Sequence, residues 1–342
     1  MKRCLPVGLV LALLLGVVGL VPAFPARADE SEQYLFDHVG NWTFTLNPKG
    51  HIGPGSYAMT AAEQAQYAAK LERLAAIVHD APTLDPPRGI DAAVTGSVGV
   101  PYDENGECRP PYRTQRVVSE LRLVLKYYYM DQGKAAVHPY PANMDVDFNN
   151  TLPPIMGCEQ GDLKDDRGRT VYRMPAELRK VGGYPLYRNL VMLITLPGRP
   201  FWLPVSREQY LRALMTRAAA DGEGTYKMLL DLYRKELDAL TTGQRRSQAY
   251  IGAGIKPSGL CEPGDEDASP VVTINPDYFD PTLPRTAVQL ITIRWYTASN
   301  AVDFTAPVRP QDGDNPAEVR ISELLEALDY RKIAALLDTG GR

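Results

Sequence analysis

Asp145-Val146-Asp147-Phe148-Asn149 sets two carboxylates and an amide at alternate positions. Oxygen ligands at this spacing open a calcium-binding loop. The pattern then breaks, because the sixth position is Asn150 rather than Gly and the twelfth is Met156 rather than Glu. Read as a strand, the segment turns Asp145 and Asp147 to one face, toward solvent. With Glu208, these carboxylates would serve a hydrolase acting on envelope polymers. Such an enzyme needs two of them facing each other roughly 5–10 Å apart across a cleft.

A second group could bind rather than cut. Tyr184, Tyr187, Trp202, Arg207 and Glu208 fall in one stretch dense in aromatic and turn residues. An exposed Tyr/Trp platform flanked by charges suits a glycan or a peptide, and His138 joins these as a candidate ligand-binding residue. Burial of Trp202 under the helix that follows is the plainer alternative. Tyrosine outnumbers phenylalanine 19 to 7, which fits partly wetted surfaces as well as sheet faces.

Other chemistries lack their residues. The histidines are His38, His51, His79 and His138, and none is spaced from another as a metal pair on one helix. Thr95-Gly96-Ser97-Val98-Gly99 approaches a nucleophile elbow but has Thr95 where glycine is needed. No phosphate-binding loop or dinucleotide fingerprint occurs, so no metal and no cofactor is expected. The acidic stretches 162–166, 265–267 and 312–314 would take calcium or simply be solvated. Asn41-Trp42-Thr43 and Asn149-Asn150-Thr151 are glycosylation sequons, relevant only in a eukaryotic host.

The N-terminus points to export. Lys2 and Arg3 precede an apolar run from Leu5 to Val21, and Ala26-Arg27-Ala28 offers small residues at both places a signal peptidase reads. Cleavage after Ala28 would yield a periplasmic or secreted chain with no transmembrane segment. Loss of Lys2, Arg3 and Arg27 takes the formal charge from −4 to −7, which argues against nucleic acid as a partner. Cys108, Cys158 and Cys261 remain, all in polar loops, and in an oxidising compartment one pair of them is expected to form a disulfide.

The elements that position these residues are legible in part. Thr60-Ala61-Ala62-Glu63 is a capping box opening a helix with Tyr67, Leu71, Leu74, Ile77 and Val78 on one stripe. Ser206 with Gln209 opens a second helix, another covers about 225–240, and Asn315-Pro316 opens the last stretch, read as one helix or as two broken near Asp329. Residues 118–130 and 144–148 read as a β-hairpin turning at Asp131-Gln132-Gly133. Further strands are expected near 42–46, 190–195, 201–205, 271–274 and 288–295, with Pro197-Gly198 turning the chain back between the second and third of these.

This pattern predicts an α+β fold: mainly antiparallel sheet with helices packed on one side. A signal peptide (1–28) would precede an N-terminal α+β region (29–157) and a C-terminal one (158–342). Cys158-Glu159-Gln160-Gly161-Asp162 recurs as Cys261-Glu262-Pro263-Gly264-Asp265, each followed by a Leu-Ile-Thr strand and a capped helix. The recurrence suggests a duplication over 158–250 and 261–342; chance is the alternative. The functional expectation is a non-catalytic exported protein binding an envelope component, glycan or protein partner, with the carboxylate hydrolase as the alternative.

Overall fold

The computed structural model describes residues 33–47, 59–99, 116–155, 158–221, 225–252, 256–265, 267–296 and 315–339. The expected signal peptide and cleavage site, Cys4, His51, Cys108, Met156 and the 312–314 acidic stretch lie outside these residues. In chain order the first elements are β1 (Trp42–Asn47), α1 (Ala61–His79), β2 (Ile90–Gly99), β3 (Val118–Asp131), β4 (Lys134–Val137) and β5 (Ala142–Phe148). Next come α2 (Leu152–Ile155), β6 (Glu159–Lys164), β7 (Thr170–Arg173), β8 (Glu177–Val181), β9 (Tyr184–Tyr187), β10 (Val191–Thr195) and β11 (Trp202–Pro204). Then α3 (Arg207–Asp221), α4 (Thr225–Ala239), α5 (Thr242–Arg246), β12 (Tyr250–Ile251), β13 (Leu260–Cys261), β14 (Ser269–Ile274), β15 (Leu290–Tyr296), α6 (Pro316–Ala327) and α7 (Tyr330–Ala334) complete the order.

The fold is α+β. A large sheet runs β1-β2-β3-β5-β15-β10-β9-β8, with β4 added beside β3, and β1–β2 is its parallel pair. A smaller sheet runs β13-β12-β14-β7-β6, with β11 on β14. Three helices, α1, α6 and α7, pack on one face of the large sheet. Period-two alternation sends Leu121, Leu123, Leu125, Met144, Val146, Ile291, Ile293 and Trp295 to that face. The predicted stripe of α1 meets them there, with Tyr67, Leu71, Leu74, Ile77 and Val78 buried. Burial of each such leucine or valine contributes about 1.5–3 kcal/mol against exposure.

Local sequence sets several of these features. Thr60 and Glu63 form the reciprocal cap of α1, and Ser206 with Gln209 does the same for α3. Asn315 caps α6 ahead of Pro316, and of the two readings of the final stretch the structure takes two helices, α7 being capped by Asp329. Gly96 lies where α1 crosses β2; a Cβ there would stand 3.1 Å from Leu46 Cδ1 and 3.5 Å from Leu71 Cβ. That close approach, not an elbow, accounts for Gly96 beside Ser97, both inside the regular strand β2.

The hairpin forms, with its return strand split. Gln132 and Gly133 both take positive φ and turn β3 into β4, and β5 then pairs with the earlier part of β3. One expected return fails. Gly198 turns the chain with φ 71°, yet β11 pairs with β14 in the smaller sheet, not with β10. Alternation in the sequence registers a strand but not its neighbour.

The strands of residues 29–157 and 158–342 join in one large sheet, since β15 pairs with β5 on one side and with β10 on the other. Around the recurring pentapeptide, β6 pairs directly with β7, whereas β12 stands between β13 and β14. The first pentapeptide is on a strand; the second ends one at Cys261 and then turns.

Candidate functional site

The face of the large sheet away from the helices carries charge at its centre. Glu120 and Arg122 on β3 stand in register with Asp147 and Asp145 on β5, which in turn face Thr292 and Arg294 on β15. Asp145 is 0% exposed, and it is held from both sides. Arg122 Nε donates to its Oδ1 at 2.9 Å and Arg294 Nη2 donates to its Oδ2 at 3.1 Å. Arg122 also meets Glu120 at 3.1 Å.

Asp147 is 2% exposed and differs in its partners. Asn150 Nδ2 donates to Oδ1 at 3.0 Å, while Oδ2 has no donor. Thr292 Oγ1, on the neighbouring strand, is also buried without a partner. Burial, then the carboxylates of Glu120 and Asp145, push the Asp147 carboxyl up to about 7, against the opposing pull of Asn150 and Arg294. Burial and Asp145 raise Glu120 as well. The expectation that Asp145 and Asp147 face solvent is therefore corrected. Both lie on one face, as the alternation requires, but that face is covered at β5. Exposure depends on what lies over a strand, which its own periodicity does not encode.

A concave site lies elsewhere. A cavity of about 430 Å³ opens where the β7–β8 link, the β9–β10 turn and residues 265–269 meet. Arg173, Arg188 and Asn189 line it with Asp265, Asp267 and Ser269. Arg173 Nη2 donates to the Asp267 carbonyl at 2.9 Å, and Asp267 holds φ 59°. Asp265 Oδ2 accepts from the Glu262 amide at 2.7 Å, fixing the turn. Two guanidiniums and two carboxylates thus border one opening, and Arg188 is exposed.

The aromatic stretch does not assemble as one platform. Tyr184 leans on Tyr330 with ring centres 6.4 Å apart, at the core under the helices. Tyr187 is buried in a separate cluster with Tyr172, Phe201 and Tyr278, and burial pushes its phenol up to about 12. Trp202 packs on that cluster, edge-on to Phe201 and Tyr172. Arg207 is 4% exposed and grips Glu262 through two hydrogen bonds of 2.8 and 2.6 Å. Glu208 pairs with Arg212 one turn along α3 at 2.7 Å. His138 stacks on Tyr127 at 4.4 Å, with Tyr129 and the exposed Tyr140 beside it. Glu120, Arg173, Arg188 and Thr292 were not apparent as site residues from sequence. Only the alternation around Glu120 offered any signal.

Cys158, just ahead of β6, and Cys261, on β13, are free and buried at opposite edges of the smaller sheet. The one disulfide expected among Cys108, Cys158 and Cys261 is not formed between the two described cysteines, and Cys108 lies outside the described residues. Burial raises both thiols, Cys158 to about 12. Among the described residues no group of three or more His, Cys, Asp or Glu is arranged to hold a metal ion, and no helix is long and apolar enough to cross a membrane. Comparison with known protein families, curated proteins and solved structures finds no match to this chain.

Proposed function

We propose that this chain is an exported, non-catalytic binding protein that holds a small envelope-derived ligand bearing both charges, such as a short peptide. The observation that carries this reading is the cavity bordered by Arg173, Arg188, Asp265 and Asp267. The guanidiniums suit a carboxylate, and the carboxylates beside them suit an ammonium. Cleavage after Ala28 supplies the envelope location, and it rests on the charged start, the apolar run and the Ala-x-Ala triplet.

Melting of the purified protein against amino acids, short peptides, glycans and calcium tests the ligand. A ligand that binds only the folded state raises the melting temperature with the logarithm of its saturation. A zwitterionic peptide is expected to raise it, and Arg188→Glu to abolish the rise. No shift with any peptide or amino acid would sink the cavity reading and turn attention to a protein partner. Sequencing the N-terminus of the exported protein tests export: a first residue other than Asp29 would overturn the cleavage site.

The alternative, a carboxylate hydrolase, would fall to Glu120 and Asp147. They are cross-strand partners, whereas Asp145 is clasped by two arginines and Glu208 pairs with Arg212 on α3. Turnover of an envelope polymer lost in both Glu120→Gln and Asp147→Asn would favour it over binding.

A further inference from the structure

The two in-register rows Glu120–Asp147–Thr292 and Arg122–Asp145–Arg294 contain three carboxylates and two guanidiniums among the described residues. The guanidiniums are spoken for. Arg122 takes Glu120 and Asp145, and Arg294 takes Asp145. No arginine or lysine reaches Asp147 within ion-pair distance among the described residues, and its Oδ2 is sealed from solvent without a donor. A buried carboxylate oxygen in that position costs several kcal/mol unless something neutralises it. The rows are one positive charge short.

We propose that this charge is a proton carried on Asp147, so that the centre of the large sheet is a proton-binding site. Protonation makes Oδ2 a donor. Standing in register on the flanking strands are Thr292, whose Oγ1 is also buried without a partner, and Glu120. One proton therefore brings the three carboxylates and two guanidiniums of the rows to neutrality. The groups that face Asp147 are Glu120 and Arg122 from β3, Asp145 from its own strand, Arg294 from β15 and the neutral Asn150. Losing the proton leaves Asp147 charged between Glu120 and Asp145 with only Arg294 to offset it. Adhesion of β3, β5 and β15 then becomes dependent on the pH around the protein.

The sign follows from linkage. Asp147 binds its proton more tightly folded than unfolded, so its contribution is full below the unfolded value near 3.8 and is lost as pH rises through about 7. Unfolding by urea from pH 4 to 9 reads this when wild type is compared with Asp147→Asn, which mimics the neutral form. The ratio of their unfolding constants is expected to move by at least about tenfold in favour of the variant between pH 4 and 7, then level off. Glu120→Gln removes the nearest carboxylate and is expected to shift the midpoint to lower pH; this variant decides the matter if Asp147→Asn fails to fold. The infrared band of a protonated carboxyl at pH 6, absent in Asp147→Asn, is the direct readout. A ratio constant with pH, together with no such band, overturns the proposal. So does stabilisation at pH 8 by sodium, potassium or calcium chloride over choline chloride that is lost in Asp147→Asn, which would make the missing charge a metal cation.

Discussion

Arg122 reaches from β3 to Asp145 on β5, and its Nε lies 2.9 Å from a carboxylate that is wholly buried. Arg294 completes the clasp from the other side. Removing the acid leaves two guanidiniums facing each other at the sheet's centre. Asp145→Ala is expected to cost roughly 3–5 kcal/mol, the penalty for breaking a buried pair. Chemical denaturation measures it, and a cost under about 1 kcal/mol would mean the clasp is no tighter than a surface pair.

Glu208 makes the useful contrast. It pairs with Arg212 on the surface of α3, a contact that solvent screens. Glu208→Ala is therefore expected to change stability by less than about 0.5 kcal/mol. A larger loss would show Glu208 holding something beyond Arg212.

Gly96 admits no side chain beneath α1. A Cβ there would stand 3.1 Å from Leu46 Cδ1, and a valine would add two methyl groups against Leu71. Overpacking of this kind costs typically about 1–3 kcal/mol. Gly96→Val is expected to lower the melting temperature, with Gly96→Ala between it and wild type. Equal melting of all three would place α1 farther from β2.

The Cys158 thiol donates to the Pro154 carbonyl at 3.3 Å and is pushed up to about 12 by burial. Thiolate is the reactive form, so an alkylating reagent at pH 8 is expected to leave Cys158 unmodified in the folded protein and to modify it in urea. Peptide mass mapping distinguishes the two. Rapid native labelling at Cys158 would contradict its burial.

Acid should loosen a different contact. Arg285 grips Glu63, and with the Thr60 amide it holds that carboxyl down near about 2, despite partial desolvation. This contribution is present above the ordinary value of 4.5 and is lost as pH falls through about 2. Glu63→Gln is expected to flatten the acid limb of a stability–pH curve below pH 4.5 and leave the neutral region's slope unchanged. An unaltered acid limb would show the pair to be fully screened.

The sequence by itself determined the α+β class, the caps of α1, α3 and α6, the stripe of α1 and the shared face of Asp145 and Asp147. Those depend on hydrogen bonds and periodicities that run over a few residues. Only the tertiary structure decided that β11 leaves the hairpin for β14, that β15 enters beside β5, and that Cys158 and Cys261 sit at opposite edges. Strand partners here are chosen by packing between residues about 70 or more positions apart, which no local pattern records. The same holds for the candidate sites. Asp147 drew notice as one carboxylate in an alternating run, but its orphaned oxygen depends on Thr292 of β15 and on arginines already committed to Asp145. Arg173, Arg188 and Asp267 border a cavity only because the β9–β10 turn and the 265–269 loop meet in space.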